Sequence, residues 1–312
     1  MEQRYLGDTG LAVSRLALGT WSWGEETDVE EARAIMRVFV DAGGTLVDTA
    51  DVYAATRSET MLGEVLGDYR REDVIIATKA VGTGDSPRRH HDASRRHLLS
   101  ALDASLQRLG LDYVDLWQMH AWDATTPLAE TLATLDLALQ SGRTRYVGIS
   151  NYCGWQTAKA ATWQRAWPGR APLASTQVEY SLLARSVESE VLPAAADAGL
   201  GVLAWSPLGR GVLSGKYRAG VPADSRGASH RAEFVQAYFN DRCERIVEAV
   251  LAAAGDLGAS PSAVALAWVR DQPGVTAPIL GARTVAQLED SLTAEALTLP
   301  DGIRSALTEA SR

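Results

Sequence analysis

The stretch "TLVDTADVYAATRSET", residues 45–60, contains the unit from which most of the chain is built. It begins as a short apolar run with β-branched residues, which is typical of a buried strand, and it ends in a segment that favours a helix. Between the two it places Asp48, Asp51 and Tyr53 within six residues. A carboxylate is costly to bury without a partner, so the end of this strand is a candidate functional site.

Short apolar runs of the same kind recur along the chain, and each is followed by a helical stretch. They lie at residues 15–20, 45–50, 74–80, 113–120, 145–150, 174–180, 201–207 and 277–282. Strands that alternate with helices pair in parallel through right-handed crossovers. Eight such units in 312 residues predict an α/β fold, a (β/α)8 TIM barrel that forms a single domain over residues 1–312.

One absent motif and two segments refine this prediction. No G-x-G-x-x-G motif follows a strand, so a Rossmann domain is not predicted. Residues 4–18, "RYLGDTGLAVSRLAL", contain an Asp-Thr-Gly turn and predict a β-hairpin that closes the bottom of the barrel. The longest irregular stretch is residues 217–236, and a loop of that length inside a compact domain is more often functional than idle.

Composition narrows the class of protein. The net charge of −9 argues against a general nucleic-acid or anionic-membrane binder. The chain has no long apolar run and no signal-peptide pattern, and its two cysteines are too few for a disulfide framework or a zinc site. We therefore predict a cytoplasmic protein without a metal. The basic stretch "RRHHDASRRH" at 88–97 is interpreted as a solvated loop leading into a helix capped by Asp92 or Ser94.

Polar and aromatic residues stand at the predicted carboxyl end of every strand. In a (β/α)8 barrel these ends form the active site, so residues that packing does not explain are expected to converge there. In chain order they are Thr20 and Trp21, Asp48, Lys79, His120, Ser150 and Asn151, Gln177, Trp205 and Ser206, and Gly281 and Arg283.

The most informative subset is Asp48, Tyr53, Lys79 and His120. A tyrosine with its ordinary pKa of about 10 is a poor acid at neutral pH, and a nearby ammonium group lowers that pKa. Lys79 is the expected cation, held by Asp48, and His120 is expected to orient a substrate carbonyl for protonation by Tyr53. This set suits carbonyl reduction, in which a proton goes to oxygen and a hydride to carbon.

Seven segments resemble the aldo-keto reductase superfamily in their order and spacing. They are "DTADVY", "ATKA", "DLWQMH", "GISN", "TQVEYSLL", "WSPLGRGVLSGKY" and "GARTVAQLEDSL", and the similarity extends from about Arg4 to Leu299. The branch that includes bacterial aldo-keto reductases and potassium-channel β-subunits is the most similar in the cofactor loop. The resemblance implies a barrel that binds NADP(H) without a Rossmann fold. It also implies Tyr53 as general acid/base, Lys79 as the group that lowers its pKa, Asp48 as partner of Lys79, and His120 as orienter of the carbonyl.

The same resemblance implies a set of cofactor-binding residues. Ser150, Asn151 and Gln177 match the positions that bind the nicotinamide carboxamide, and Trp205 matches the aromatic residue that stacks on the ring. Arg283 opens a predicted helix, where backbone N–H groups and a guanidinium favour a 2′-phosphate and hence NADP over NAD. Ser291 stands where relatives often have asparagine. The full predicted set is Thr20, Trp21, Asp48, Ser150, Asn151, Gln177, Trp205, Ser206, Pro207, Leu208, Gly209, Arg210, Lys216, Arg226, Gly281, Arg283, Gln287 and Asp290.

Aromatic residues are also expected to line a substrate pocket, made by Trp21, Trp23, Tyr53, His120 and Trp122. The partner would be a small-molecule carbonyl compound or its alcohol. Two alternatives stay open: a cofactor-sensing regulatory subunit on the same scaffold, and a sugar or alcohol dehydrogenase working in the oxidative direction. The sequence predicts neither the reaction direction nor the oligomeric state.

Overall fold

A computed structural model describes residues 1–83, 90–223 and 225–312. The strands in this part of the chain are β1 Gln3–Tyr5, β2 Ala12–Ser14, β3 Ala17–Gly19, β4 Leu46–Asp48, β5 Ile75–Ala80, β6 Val114–Met119, β7 Thr144–Ser150, β8 Leu173–Glu179, β9 Gly201–Trp205 and β10 Val275–Leu280. The helices are α1 Val29–Asp41, α2 Arg57–Leu66, α3 Arg95–Leu109, α4 Leu128–Gln140, α5 Gly154–Arg165, α6 Val191–Asp197, α7 Ala232–Gln236, α8 Asp241–Leu257, α9 Pro261–Arg270, α10 Val285–Leu292 and α11 Asp301–Ala310.

Strands β3 to β10 form a closed parallel barrel in chain order, with β10 beside β3. Each barrel strand begins and ends within two residues of its predicted run, so the (β/α)8 prediction is confirmed. The reason is that these strands are almost entirely buried by the surrounding helices, which selects near-continuous apolar runs.

The predicted hairpin is formed by β1 and β2, which pair antiparallel. Leu6, in the turn between them, is fully buried against residues of the barrel interior. The Asp8 backbone N–H donates to the carbonyl of Gly199 at 2.8 Å, just before β9. Gly7 lies at φ 58°, and a Cβ there would meet that carbonyl at 2.4 Å, so this close approach requires glycine. The hairpin therefore covers the amino-terminal ends of the strands, as predicted.

Residues 90–97 of the basic stretch run from the connection that follows β5 into the first turn of α3. Ser94 caps α3 by accepting a hydrogen bond from the His97 backbone N–H, so Ser94 is the cap and Asp92 is not. His90 and His91 are exposed, and Arg88 and Arg89 lie outside the described residues.

In the same described ranges, no single helix has both the length and the apolar character to cross a membrane, although α8 and α9 meet those criteria as a pair bent by 101°.

Candidate active site

A buried ion pair joins the ends of β4 and β5. Lys79 Nζ lies 2.5 Å from Asp48 Oδ1 and also donates to the Thr49 carbonyl at 2.8 Å. The other carboxylate oxygen, Asp48 Oδ2, accepts from Gln177 Nε2 at 2.9 Å and from Gln118 Nε2 at 3.4 Å. Burial lowers the pKa of Lys79, but the attraction of Asp48 and Tyr53 outweighs it and raises that pKa above its ordinary value. Lys79 is therefore charged at neutral pH, and both oxygens of its buried partner accept hydrogen bonds.

Tyr53 reaches this ion pair from the loop that follows β4. Its hydroxyl lies 3.2 Å from Lys79 Nζ, which is within hydrogen-bond reach. The next three residues, Ala54, Ala55 and Thr56, have φ values of 49°, 52° and 75°. Consecutive left-handed non-glycine residues are strained, and such strain persists where the surrounding structure holds it in place. The turn they form delivers the phenol to the lysine just before α2 begins.

The pKa of Tyr53 moves in the opposite direction to our expectation. Loss of hydration raises the pKa of Tyr53 above its ordinary value of 10.0, and this effect is larger than the lowering caused by Lys79. Lys79 lowers the pKa of Tyr53 as predicted, but the net shift of that pKa is upward. The phenol therefore stays protonated at neutral pH, which is the state required of a proton donor.

His120 completes the group at the end of β6. Its ring lies edge-on to that of Tyr53, with 5.7 Å between the ring centroids. Burial and then the positive charge of Lys79 lower the pKa of His120 to about 3. The imidazole is therefore neutral at physiological pH and can hydrogen-bond a substrate without adding charge. Its backbone carbonyl accepts from Asn151 Nδ2 at 2.9 Å, which ties the end of β6 to the end of β7.

One cavity at the carboxyl end of the barrel gathers most of the predicted site. The predicted residues that line it are Trp21, Asp48, Tyr53, His120, Ser150, Asn151, Gln177, Trp205, Ser206, Pro207, Leu208, Arg210, Lys216, Arg226, Gly281, Arg283 and Gln287. Trp205 is held there because its Nε1 donates to Asn151 Oδ1 at 3.0 Å.

Three predicted cofactor residues lie outside the lining. Thr20 is fully buried behind it, where its hydroxyl hydrogen-bonds the Ser58 hydroxyl at 2.8 Å. Gly209 is buried and packs against Leu183 so closely that a Cβ would meet that side chain at 2.5 Å. Asp290 is half-buried on α10. These residues can support the cavity wall, but they do not form its surface.

Two of the predicted pocket tryptophans also lie outside the lining of the cavity. Trp23 is fully buried in the hydrophobic core, because a turn in which its N–H donates to Thr20 directs it inward. Trp122 packs edge-on against Tyr152 and Trp155, with ring centroids 5.2 Å and 5.4 Å away. It is not among the residues that line the cavity.

One end of the cavity is basic. Arg226 and Arg283 both line it, and Arg283 Nη1 lies 3.7 Å from Glu26 Oε2. Arg226 Nε is buried without a hydrogen-bond partner among the described residues. Burial lowers the pKa of Arg226 more than the attraction of Glu26 raises it. A buried donor without an acceptor, beside a second guanidinium, fits an anionic group such as a phosphate.

Comparison with known proteins shows the family of this chain. Residues 15–312 match the aldo/keto reductase family. The chain belongs to the aldo/keto reductase family. It is 39% identical to the uncharacterized oxidoreductase YrpG of Bacillus subtilis, over 99% of this chain and 95% of that protein.

Other relatives of this aldo-keto reductase differ in what their names describe. A probable voltage-gated potassium channel subunit beta of Oryza sativa is 37% identical, over 94% of this chain and 91% of its own length. The L-glyceraldehyde 3-phosphate reductase of Escherichia coli K12 is 36% identical, over 94% of this chain and 87% of its own length. The family and its oxidoreductase members identify this protein as an oxidoreductase of the carbonyl-reducing type.

The long segment at 217–236 contributes to the site of this aldo-keto reductase. Phe234 lines the cavity and stacks on Trp21, with ring centroids 5.9 Å apart. Arg231 lies over the same indole at 3.8 Å and pairs with Glu25 in the connection that follows β3. The length of the loop indicated a function, but the sequence carried no signal for these particular contacts.

Arg210, one of the predicted cofactor-binding residues, is engaged by an acid. It lines the cavity, but its guanidinium donates to both carboxylate oxygens of Glu179 at 3.0 Å and 2.9 Å. It also lies 3.6 Å from the centre of the Phe234 ring. Its charge is therefore already paired with Glu179, and these contacts link the end of β8 to the loop that carries Phe234.

Gln118 is a site residue that sequence reasoning missed. Its amide donates to Asp48 and its Oε1 accepts from the Ser175 hydroxyl at 3.2 Å. A signal was present, because Gln118 is a polar residue inside a buried strand and lies two positions before His120. Alternate residues of a strand share a face, so both side chains point to the same side of β6.

Proposed function

We propose that this aldo-keto reductase reduces an aldehyde or ketone to the alcohol with NADPH, and that Tyr53 is the general acid. One observation carries the proposal: Lys79 Nζ is bonded to Asp48 and lies 3.2 Å from the hydroxyl of Tyr53, which lines the same cavity as His120. A buried phenol, a cation and a neutral hydrogen-bonding group are the parts that protonation of a carbonyl oxygen requires.

The residues divide the work as follows. His120 hydrogen-bonds the carbonyl oxygen and orients it towards the Tyr53 hydroxyl, which gives it a proton. NADPH, when bound, would supply the hydride that adds to the carbonyl carbon. The phenolate left at Tyr53 is stabilised by Lys79 and is reprotonated from solvent. Asp48 keeps the lysine in place, since its carboxylate also accepts from Gln177.

Cofactor binding is assigned to the residues that line the rest of the cavity. Ser150, Asn151 and Gln177 would hold the carboxamide, and the indole of Trp205 would stack on the nicotinamide ring. Arg283, with Lys216 and Arg226, would take the 2′-phosphate. Arg226 Nε, which is buried and has no hydrogen-bond partner in the part of the chain that the structure describes, supports an anion at this end.

The Arg283→Ala variant is expected to weaken NADPH binding by about ten-fold or more and NADH binding by less than about three-fold, because a charge-assisted bond to phosphate is lost. Quenching of tryptophan fluorescence during cofactor titration measures both constants. Arg37→Ala removes an exposed arginine of α1 and is the matched control.

Glu26→Gln tests the same site from the opposite direction. It removes the carboxylate that lies 3.7 Å from Arg283, so NADPH should bind more tightly. Equal weakening of NADPH and NADH in Arg283→Ala, together with no effect of Glu26→Gln, would show that this end does not bind a phosphate.

The proposed activity is tested by following NADPH oxidation with a panel of aldehydes, ketones and sugars. Short phosphorylated aldehydes belong in the panel because one relative is an L-glyceraldehyde 3-phosphate reductase. Turnover with NADPH is expected. The reverse reaction with alcohols and NADP⁺ uses the same residues, and measuring it separates reductive from oxidative use.

A second candidate function is cofactor sensing by a regulatory subunit. The similarity to potassium-channel β-subunits over 94% of this chain favours it. Tight NADPH binding without turnover of any carbonyl would support this function over the reductase.

A further inference from the structure

Asp51 is a buried carboxyl group, in the loop that carries Tyr53, that the proposed mechanism does not use. It lies in a turn, and it exposes only 6% of its surface. Its backbone N–H donates to the Lys79 carbonyl at 3.1 Å, and its carboxyl group accepts from the Val52 backbone N–H. Its Oδ1 is buried and has no hydrogen-bond partner among the described residues.

The cations near Asp51 are already paired with other acids. Arg108 of α3 binds Glu59 of α2, with Nη2 at 2.6 Å and Nε at 2.8 Å from Glu59 Oε2. Lys79 is paired with Asp48 at 2.5 Å. Each of these ion pairs is neutral as a unit. Asp51 is therefore a third acid beside two cations that are both engaged.

Such a carboxyl group is most stable with its proton. Burial raises the pKa of Asp51 to about 7, and the negative charge of Glu59 adds to the increase. Arg108, the Val52 backbone N–H and Lys79 lower it, but by less. The isolated Oδ1 and the pairing of both cations lead to the same conclusion from geometry alone.

We propose that Asp51 is a positioning residue that regulates the acidity of Tyr53: Asp51 keeps its proton below neutral pH, and when Asp51 ionises it makes Tyr53 a weaker acid. The inference rests on the proposed reductase function. The charged or titratable groups around Asp51 are Glu59 on α2, Arg108 on α3, Lys79 on β5 and Tyr53 on its own loop.

The coupling between the two residues is electrostatic. A negative charge on Asp51 raises the pKa of Tyr53 and disfavours the phenolate that forms when Tyr53 gives up its proton. Carbonyl reduction is therefore expected to slow as pH rises through 7 and to reach a lower plateau. Asp51 does not line the cavity, so the change belongs to kcat and not to substrate affinity.

The test is the Asp51→Asn variant, because asparagine has nearly the shape of a protonated aspartic acid. In the wild type, kcat should fall by about three- to ten-fold between pH 6 and 8.5, the size expected for one partly screened charge. In Asp51→Asn this step should be absent. Asp73→Asn makes the same charge change at an exposed carboxylate and should keep the wild-type profile. A step that survives in Asp51→Asn overturns the proposal.

Unfolding measurements test the proton on Asp51 without any turnover. An unfolded aspartate has a pKa of about 3.9, so between pH 4 and 7 the unfolded chain releases a proton that the folded protein keeps. The free energy of unfolding of the wild type should therefore fall relative to Asp51→Asn over that range, and the difference should level off above pH 7. If the free energy of unfolding, measured with urea, depended on pH in the same way in both proteins, this would contradict a protonated Asp51, whatever the enzyme reduces.

A second variant and a second readout separate failure of this inference from failure of the proposed function. Glu59→Gln leaves Arg108 free to attract Asp51, so the step in kcat should move to lower pH, and an unmoved step overturns the proposal. If no carbonyl is reduced, the ultraviolet difference titration of the Tyr53 phenolate, with Tyr53→Phe as blank, replaces kcat. Ionisation at lower pH in Asp51→Asn than in the wild type supports the coupling, and identical titrations overturn it.

Discussion

Tyr53→Phe should lose carbonyl reduction by about 10²-fold or more, the usual contribution of a positioned general acid. The variant keeps the ring that packs edge-on against His120 and removes only the hydroxyl that lies 3.2 Å from Lys79. The loss should appear in kcat, because the phenol gives its proton only in the transition state. Steady-state NADPH oxidation with the best carbonyl of the panel measures it.

NADPH binding provides the internal check on this variant. The dissociation constant from fluorescence quenching should stay within about two-fold of the wild type, because the hydroxyl is assigned to chemistry and not to cofactor affinity. Tyr152→Phe is the matched control, since it removes the same hydroxyl group from a tyrosine that, unlike Tyr53, does not line the cavity. Full turnover by Tyr53→Phe would show that another group protonates the substrate.

Lys79→Met should have the second-largest effect, and it should act on both activity and stability. The substitution leaves Asp48 buried without its cation, with only the amides of Gln118 and Gln177 to bind it. Breaking a buried pair in this way typically costs about 3–5 kcal/mol in the free energy of unfolding. Reduction should fall by about 10²-fold or more, because the phenolate of Tyr53 loses the charge that stabilises it.

Urea unfolding and turnover assays on the same samples measure the two effects of Lys79→Met. Lys159→Met makes the same chemical change at an exposed position of α5 and should alter neither quantity appreciably. Unfolding at the wild-type urea concentration would contradict a net role of this ion pair in stability. Unchanged turnover would contradict the role of Lys79 in lowering the cost of the phenolate.

The barrel could be predicted because its signals are local. Strands buried on both sides must be short apolar runs, and eight of them separated by helices leave few other topologies. The four residues proposed as catalytic were found for a related reason, since parallel strands bring all their carboxyl ends to one face. Asp48, Lys79 and His120 could be predicted from their positions at strand ends, and Tyr53 could be predicted from its position in the loop that follows β4.

The sequence could not predict which of two neighbouring residues of the same type lines the cavity or is paired with an acid. Trp21 and Trp23 are two positions apart, yet one lines the cavity and the other is fully buried in the core. Arg210 and Arg226 lie in the same stretch of loop, but only Arg210 is paired with Glu179. A turn of the backbone and a partner distant in sequence decide each case, and neither leaves a pattern in the residues around them.

The sequence by itself determined the order of the elements and the group of polar residues that gathers at the barrel mouth. Only the tertiary structure decided the protonation of that group. The pKa of Tyr53 rises and that of Asp51 rises to about 7 because burial outweighs the neighbouring charges. Loss of hydration depends on every segment packed around a side chain, and whether a charge is compensated depends on which distant residue reaches it first. Asp51 is the clearest case: in the chain it is one acid of a turn, and in the folded protein it is a carboxyl group whose nearest cations are already paired.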